Sequence, residues 1–401
     1  DKLIDIERIE YFHAEFEEVW LRDSFPTFAQ KKSTGETILI KMYFDGWGTT
    51  GSIINHTDKI DKGDTSRITN IRRDLMEMES DLKWMVKENK ELLKLYSQFP
   101  EVDYIIECNY IHDGGARIFN GNGTMMLNEH YERVRNSCVS SEFSIKKTEE
   151  LFSKIFGVKN FIWLKYPPLA EDWQYWYDIE ERLEKEFEDK LKKKHGKEIL
   201  RDEDYDDYEE EEEDEEDKNK LKEAICYTEG HVDAFAVFAD EKTIVYCDFE
   251  NKVDNEDDKE NTRRLKANLE CLKNAKDIDG NKFNLIPLPK EIEIFKMVDH
   301  KDKIIQENYI LSGQRLAKLK KQKQVELQRV CNYVNYIVVN KAVICSKIYK
   351  EGMSEEIKKS DDECYEIFKK VFPDREIFMI DTEAINWGDG SLHCITAHQS
   401  K

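Results

Sequence analysis

The sequence predicts an α/β fold made of repeated helix-plus-hairpin units. Three observations carry this: short β-rich runs recur along the chain, several face each other across tight polar turns, and amphipathic helical runs separate them. The strand runs are FIWL (161–164), AFAVFADEKTIVYCDF (234–249), FNLIPL (283–288), YVNYIVVNKAVIC (333–345) and EIFMID (376–381). Residues 237–239 and 243–246 flank Asp240-Glu241-Lys242, and residues 337–339 and 342–344 flank Asn340-Lys341, so each pair reads as a hairpin. Apolar residues at helical spacing place helices over 146–156, 262–273 and 354–371. The units share too little sequence to demonstrate an internal repeat.

With 401 residues and 39% hydrophobic content, including 20 Phe, 18 Tyr and 7 Trp, the chain can bury a large core, and a single domain over 1–401 is expected. An insertion interrupts it at 168–223. Residues 171–223 carry 25 acidic against 11 basic side chains. Ile179, Leu183, Phe187 and Leu191 give the first half of this block a helical apolar stripe among charges. The second half, 202–217, is an acidic run that repels itself and is expected to be disordered.

Charge narrows the function classes. A formal net charge of −23 disfavours nucleic acid and anionic membranes, both of which reward basic surfaces, and favours a cationic substrate. The nine cysteines are dispersed with no CxxC pair, which points away from a disulfide scaffold or zinc ribbon and toward a reducing, cytoplasmic setting. No run approaches the ~18 apolar residues of a membrane span, and no leader of charged-then-apolar type opens the chain.

Two segments carry the sharpest chemistry. A glycine-rich turn, Gly388-Asp389-Gly390-Ser391-Leu392-His393-Cys394, leads directly into a cysteine, as is required to present one side chain into a cleft. By itself Cys394 reads equally well as an inert buried thiol. In Gly230-His231-Val232-Asp233, at the head of a strand run, His231 and Asp233 are two apart; in extended chain both would face one substrate. Two further carboxylates, Asp23 in WLRDSFPTF and Asp113 in His112-Asp113-Gly114-Gly115, stand beside turn or aromatic signals, where an Asp is more often a capping or turn residue than a catalytic one.

These segments resemble one family. WLRDSFPTF is similar to the W-x-R-D-x-G-P-T-F segment of agmatine deiminases, and DGGARIFNGNGTMMLNE resembles their E-G-G-x-I-x-x-D-G-x-G-T-x-L-x-T-E hairpin. FIWL, GHVDAFAVF, YVNYIVVNKAVI and GDGSLHCITAHQ follow in the family's order, the last against G-G-G-N-I-H-C-I-T-Q-Q. The resemblance, shared with bacterial-type peptidylarginine deiminases, implies the pentein fold, a pseudo-fivefold α/β propeller of ββαβ-type units around a central site. It implies Cys394 as nucleophile, His231 as general acid/base, Asp23 and Asp233 as the carboxylates that grip a guanidinium, and Asp113 as the residue orienting His231. Trp20 would line the pocket and Asn335 would help position substrate. No metal or organic cofactor is implied; the partner is a small cationic guanidine, and a homodimer is compatible with it.

The sequence departs from the family at three places. Tyr227 stands where an acidic residue usually meets the distal amine, leaving Glu229 to supply that charge. Asp113 replaces a Glu, shortening the reach to His231 by one methylene, roughly 1.5 Å of bond path, which is expected to weaken or re-aim catalysis. Only 22 residues precede Asp23 and no W-x-P-H segment is among them, so the first unit is expected to be incomplete. Agmatine hydrolysis, deimination of peptidyl arginine, and a deiminase-like protein that binds without turnover are the three functions this leaves open.

Overall fold

The computed structural model describes Tyr11, residues 19–44, Trp47, Glu91, Lys94, Leu95, and residues 102–137, 144–168, 230–299, 324–388 and 390–398. Tyr227, Glu229 and all but the first residue of the expected 168–223 insertion lie outside these residues, as do residues 1–10 and 12–18, where the incomplete first unit was expected.

Five sheets organise the described residues, and four share one plan. In the first, β1 (Thr27–Gln30) pairs antiparallel with β2 (Thr37–Tyr43), and β2 pairs parallel with β3 (Tyr104–Ile111). The second repeats this with β4 (Arg117–Phe119), β5 (Thr124–Asn128) and β6 (Asn160–Leu164). The third uses β7 (Ala236–Phe238), β8 (Thr243–Cys247) and β9 (Asn284–Leu288). The exception is a two-stranded antiparallel sheet of β10 (Ile294–Asp299) and β11 (Gln324–Arg329). The last three-stranded sheet is β12 (Ile337–Val339), β13 (Ala342–Lys347) and β14 (Glu376–Asp381).

A parallel neighbour cannot be reached by a tight turn, so each third strand needs a crossover. Helix α1 (Leu21–Ser24) precedes the first sheet, and α2 (Glu129–Ser137) follows β5. The crossovers are α3 (Ile145–Phe156) between β5 and β6, α4 (Glu256–Asn274) between β8 and β9, and α5 (Glu355–Val371) between β13 and β14. Local sequence sets their ends. Asn255 and Ser354 cap α4 and α5 by accepting the amides of Asp258 and Ile357, and Gly157 ends α3 in the left-handed conformation at φ 70°. A short α6 (Glu383–Asn386) leads from β14 into the glycine-rich turn.

Helices and sheets meet in two main apolar clusters. Ile38, Ile40, Met42, Met125, Leu127 and Phe152 unite the first two sheets under α3. Val237, Ile244, Val343, Cys345 and Phe368 unite the third and last under α4 and α5. Phe368 is fully buried, so its truncation to Ala is expected to cost about 3–5 kcal/mol.

Candidate active site

Every residue singled out in the sequence, where described, sits in a turn that enters or leaves one of these sheets. Asp23 lies in α1 just before β1, and Asp113 precedes a single 3-10 turn, Gly114–Ala116, that runs into β4. His231 and Asp233 frame another such turn, Val232–Ala234, before β7. Asn335 lies in the bend before β12, and Cys394 in the turn after α6. The site is therefore assembled from the turns that enter four of the five sheets, closed by the turn after α6.

The 3-10 turn corrects one expectation. His231 and Asp233 are not brought together by extended backbone: His231 caps the turn at φ −55°, ψ 131°, and Asp233 lies within it. Their side chains still meet, with His231 Nδ1 4.0 Å from Asp233 Oδ1 and 3.9 Å from Asp23 Oδ1. On the other side of the ring, His231 Nε2 stands 3.2 Å from Asp113 Oδ2, which also accepts from Arg135 Nη2 at 3.3 Å. The shorter carboxylate at 113 thus reaches the histidine.

Backbone and aromatic donors fix the remaining carboxylate. Asp23 Oδ1 accepts the Gly115 amide at 2.9 Å and Oδ2 accepts Trp47 Nε1 at 2.9 Å. Trp47 holds a left-handed backbone, φ 57°, unusual for a bulky residue and a mark of local strain. Trp20 lies against the glycine-rich turn: a Cβ at Gly390 would fall 2.2 Å from its ring, so only glycine lets the turn pass there.

Cys394 is held by Asn335, whose Oδ1 accepts the amides of His393 (2.9 Å) and Cys394 (3.4 Å) and lies 3.4 Å from the sulfur. Asp233 Oδ2 is 4.0 Å from that sulfur and 2.6 Å from His393 Nδ1. Arg22 locks the turn to α1, its amide donating to the Cys394 carbonyl at 2.8 Å and its Nε to the His393 carbonyl at 3.1 Å.

Burial and charge work against each other here. Burial pushes Asp23 upward, with Asp113 and Asp233 adding to it and His231 opposing. Burial also pushes Asp113 up, but Arg135 and His231 hold it below its ordinary value; Asp233 is likewise kept low by His393 and His231. Burial alone would lower His231, yet the charges of Asp23, Asp113 and Asp233 raise it to about 9, so it is a cation at neutral pH. The Cys394 thiol is pushed well above its usual range, by burial first and then by Asp233 and Asp23. Two carboxylates and a raised thiol thus share one buried space with His231.

Sequence reasoning did not single out Arg22, Gly115, Trp47, Arg135 or His393. Arg22 and His393 adjoin the named Asp23 and Cys394, which is a usable signal; Arg135 and Trp47 have none, because only the tertiary fold brings them near. Among the described residues no group of three His, Cys, Asp or Glu side chains is arranged to hold a metal ion, and no helix is long and apolar enough to cross a membrane.

Comparison with known proteins points to one family. Agmatine deiminases of Pseudomonas putida and Pseudomonas aeruginosa are 24% and 25% identical over 174 and 172 residues, in each case 43% of this chain and 40% of the relative. The chain therefore spans well under half the length of the curated relatives it matches. Among solved structures, C. jejuni agmatine deiminase with substrate bound aligns with TM-score 0.55 at 19% identity, over 97% of this chain and 76% of that one. The Enterococcus faecalis agmatine deiminase gives 0.55 at 16%, over 94% and 73%. At these identities the likeness establishes the α/β deiminase fold. The profile of the Porphyromonas-type peptidyl-arginine deiminases matches residues 1–180 and 219–400, nearly the whole sequence, and the chain belongs to that family.

Proposed function

We propose that the chain hydrolyses a guanidinium group, converting agmatine to N-carbamoylputrescine and ammonia, with Cys394 as nucleophile. The observation that carries this is the convergence of a thiol, an imidazolium and two carboxylates: Asp233 spans from His231 to Cys394, while Asp23 faces the same His231 nitrogen. A guanidinium is planar, cationic and resonance-stabilised, so paired carboxylates must fix it before a thiolate can attack.

The chemistry follows from the charges. The bound cation offsets Asp23 and Asp233, lowers the thiol's pKa and releases its proton to solvent. The thiolate then bonds to the central carbon, and the departing nitrogen takes a proton from His231 and leaves as ammonia, giving a covalent thiouronium. His231, now neutral, removes a proton from water as it attacks that carbon; the C–S bond breaks, the thiolate is restored and a ureido product departs. Asp113, backed by Arg135, keeps the imidazole oriented throughout. The names of the relatives and of the substrate-bound C. jejuni structure support agmatine. We read the five sheets as units of a pseudo-fivefold propeller, with β10–β11 its reduced member; the repeated use of entry turns supports that arrangement.

A second reading is deimination of arginine in peptides, favoured by the family to which the chain belongs. One assay separates them. Ammonia and ureido product are measured with agmatine, free arginine and a blocked arginyl peptide, with Cys394→Ser as control. Turnover of agmatine above the others, abolished in the control, supports the first reading; preference for the peptide moves the assignment to the second. A folded chain that turns over none of the three refutes both.

A further inference from the structure

We infer that His393 is a positioning residue for Asp233, donating Nδ1–H to Oδ2 at 2.6 Å and so setting the carboxylate plane along the line from His231 to Cys394. The inference rests on the guanidine-hydrolase reading of this site. Asp23 has two fixed donors, the Gly115 amide and the Trp47 indole. Asp233 lies in a 3-10 turn, and the imidazole of His393 closes on its Oδ2 at 2.6 Å, far nearer than the Cys394 sulfur at 4.0 Å. The two carboxylates thus receive their donors from different sources: one from backbone and indole, the other from the residue beside the nucleophile.

The backbone of His393 makes this role rigid. Its amide donates to Asn335 Oδ1 and its carbonyl accepts Arg22 Nε, so the imidazole projects from a fixed point. The ring is nearly buried. It is faced by Asp233 and His231 from the 3-10 turn, by Arg22 from α1, and by His398, 6.1 Å away, from its own segment. Burial and then Arg22 keep the imidazole neutral, which sets a single tautomer: with Asp233 ionised, the proton lies on Nδ1. A neutral donor satisfies Asp233 without cancelling its charge. The carboxylate therefore stays available to a guanidinium, where a protonated histidine would compete with the substrate as a counter-ion.

The test compares wild type with His393→Ala and His393→Asn, because an asparagine amide nitrogen reproduces the position of Nδ1 and not of Nε2. Cys394 is alkylated with a cationic haloacetamidine and with neutral iodoacetamide, and kcat and KM for agmatine are followed against pH. We expect wild type to prefer the cationic reagent. His393→Ala should lose that preference and raise KM by about tenfold to a hundredfold, the worth of a hydrogen bond to a charged group, with the rate toward iodoacetamide within a few fold of wild type. The acid limb of its profile should move to higher pH, since Asp233 loses the donor that keeps it ionised. His393→Asn should recover most of the loss.

A wild type with no cationic preference overturns the proposal, as does a His393→Ala variant that retains it. An Asn variant as impaired as Ala, toward both reagents, also overturns it, because that pattern marks a purely structural side chain. If wild type turns over no guanidine, the functional reading fails, and the alkylation ratio alone then decides the role of His393.

Discussion

A Cβ placed on Gly115 would stand 2.5 Å from Nδ1 of His231, and 3.1 Å from an oxygen of both Asp23 and Asp233. The absent side chain is thus the meeting point of the imidazole and the two carboxylates. Gly115→Ala must displace a ring that Asp113 holds from behind. Turnover is expected to fall about a hundredfold, as for a 1 Å misplacement of a reacting group, with about 1–3 kcal/mol of overpacking strain. Gly121→Ala is the control: no atom lies within 4 Å of its Cβ, but its φ of 75° makes the substitution cost stability. Urea denaturation and ammonia release should separate the two variants, and normal turnover by Gly115→Ala would refute the geometry.

The second prediction concerns the departure at position 113. Asp113 is fully buried and already reaches His231. Asp113→Glu therefore adds a methylene to a filled space, and is expected to lower stability by about 1–3 kcal/mol without raising kcat. Asp113→Asn removes one of the charges that raise His231 to about 9, so the alkaline fall in activity should move to lower pH. A pH–rate profile of the two variants checks both statements; a faster Asp113→Glu enzyme would mean that the shorter acid is a defect.

How far the sequence could carry these conclusions depended on the range of each interaction. The hairpins at 237–247 and 337–347 and the three crossover helices were legible because their apolar periods and turns are local. The residues Cys394, His231, Asp233, Asp23 and Asp113 could be named from the motifs around them, and their side chains lie together in the structure. The sheet of β10 and β11 was not legible, because its nearest paired positions, Asp299 and Gln324, lie 25 apart in sequence and no tight hairpin turn joins the strands. Arg135 is likewise 22 residues from the carboxylate it supports, so its role emerges only when α2 folds back behind Asp113. The backbone at 231–233 was misjudged as extended because strand propensity downstream concealed a 3-10 turn.

A third prediction tests the state of the nucleophile. Burial, Asp233 and Asp23 keep the Cys394 thiol protonated in the free protein, and His231 is already a cation. Binding a guanidinium should therefore release close to one proton near neutral pH. Calorimetric titration with agmatine in buffers of different ionisation enthalpy measures that number directly. Cys394→Ser should bind without releasing it. Equal proton release by both proteins would locate the ionisation elsewhere, and none in wild type would mean that the thiol ionises only during attack.

The last prediction follows from the acidic block, where residues 171–223 hold 25 acidic and 11 basic side chains directly ahead of the segment that carries His231. A run of like charge of this density attracts cations over about a Debye length, near 10 Å at 0.1 M salt, and so acts on encounter more than on the chemical step. Removing residues 171–223 should lower kcat/KM for a polycationic arginyl peptide by about tenfold at low ionic strength. It should leave kcat unchanged and flatten the dependence of kcat/KM on salt. Agmatine, with far less charge, should be affected less. Identical salt dependence in the full-length and deleted chains would show that the block takes no part in substrate capture, and a fall in kcat would show that it acts within the site.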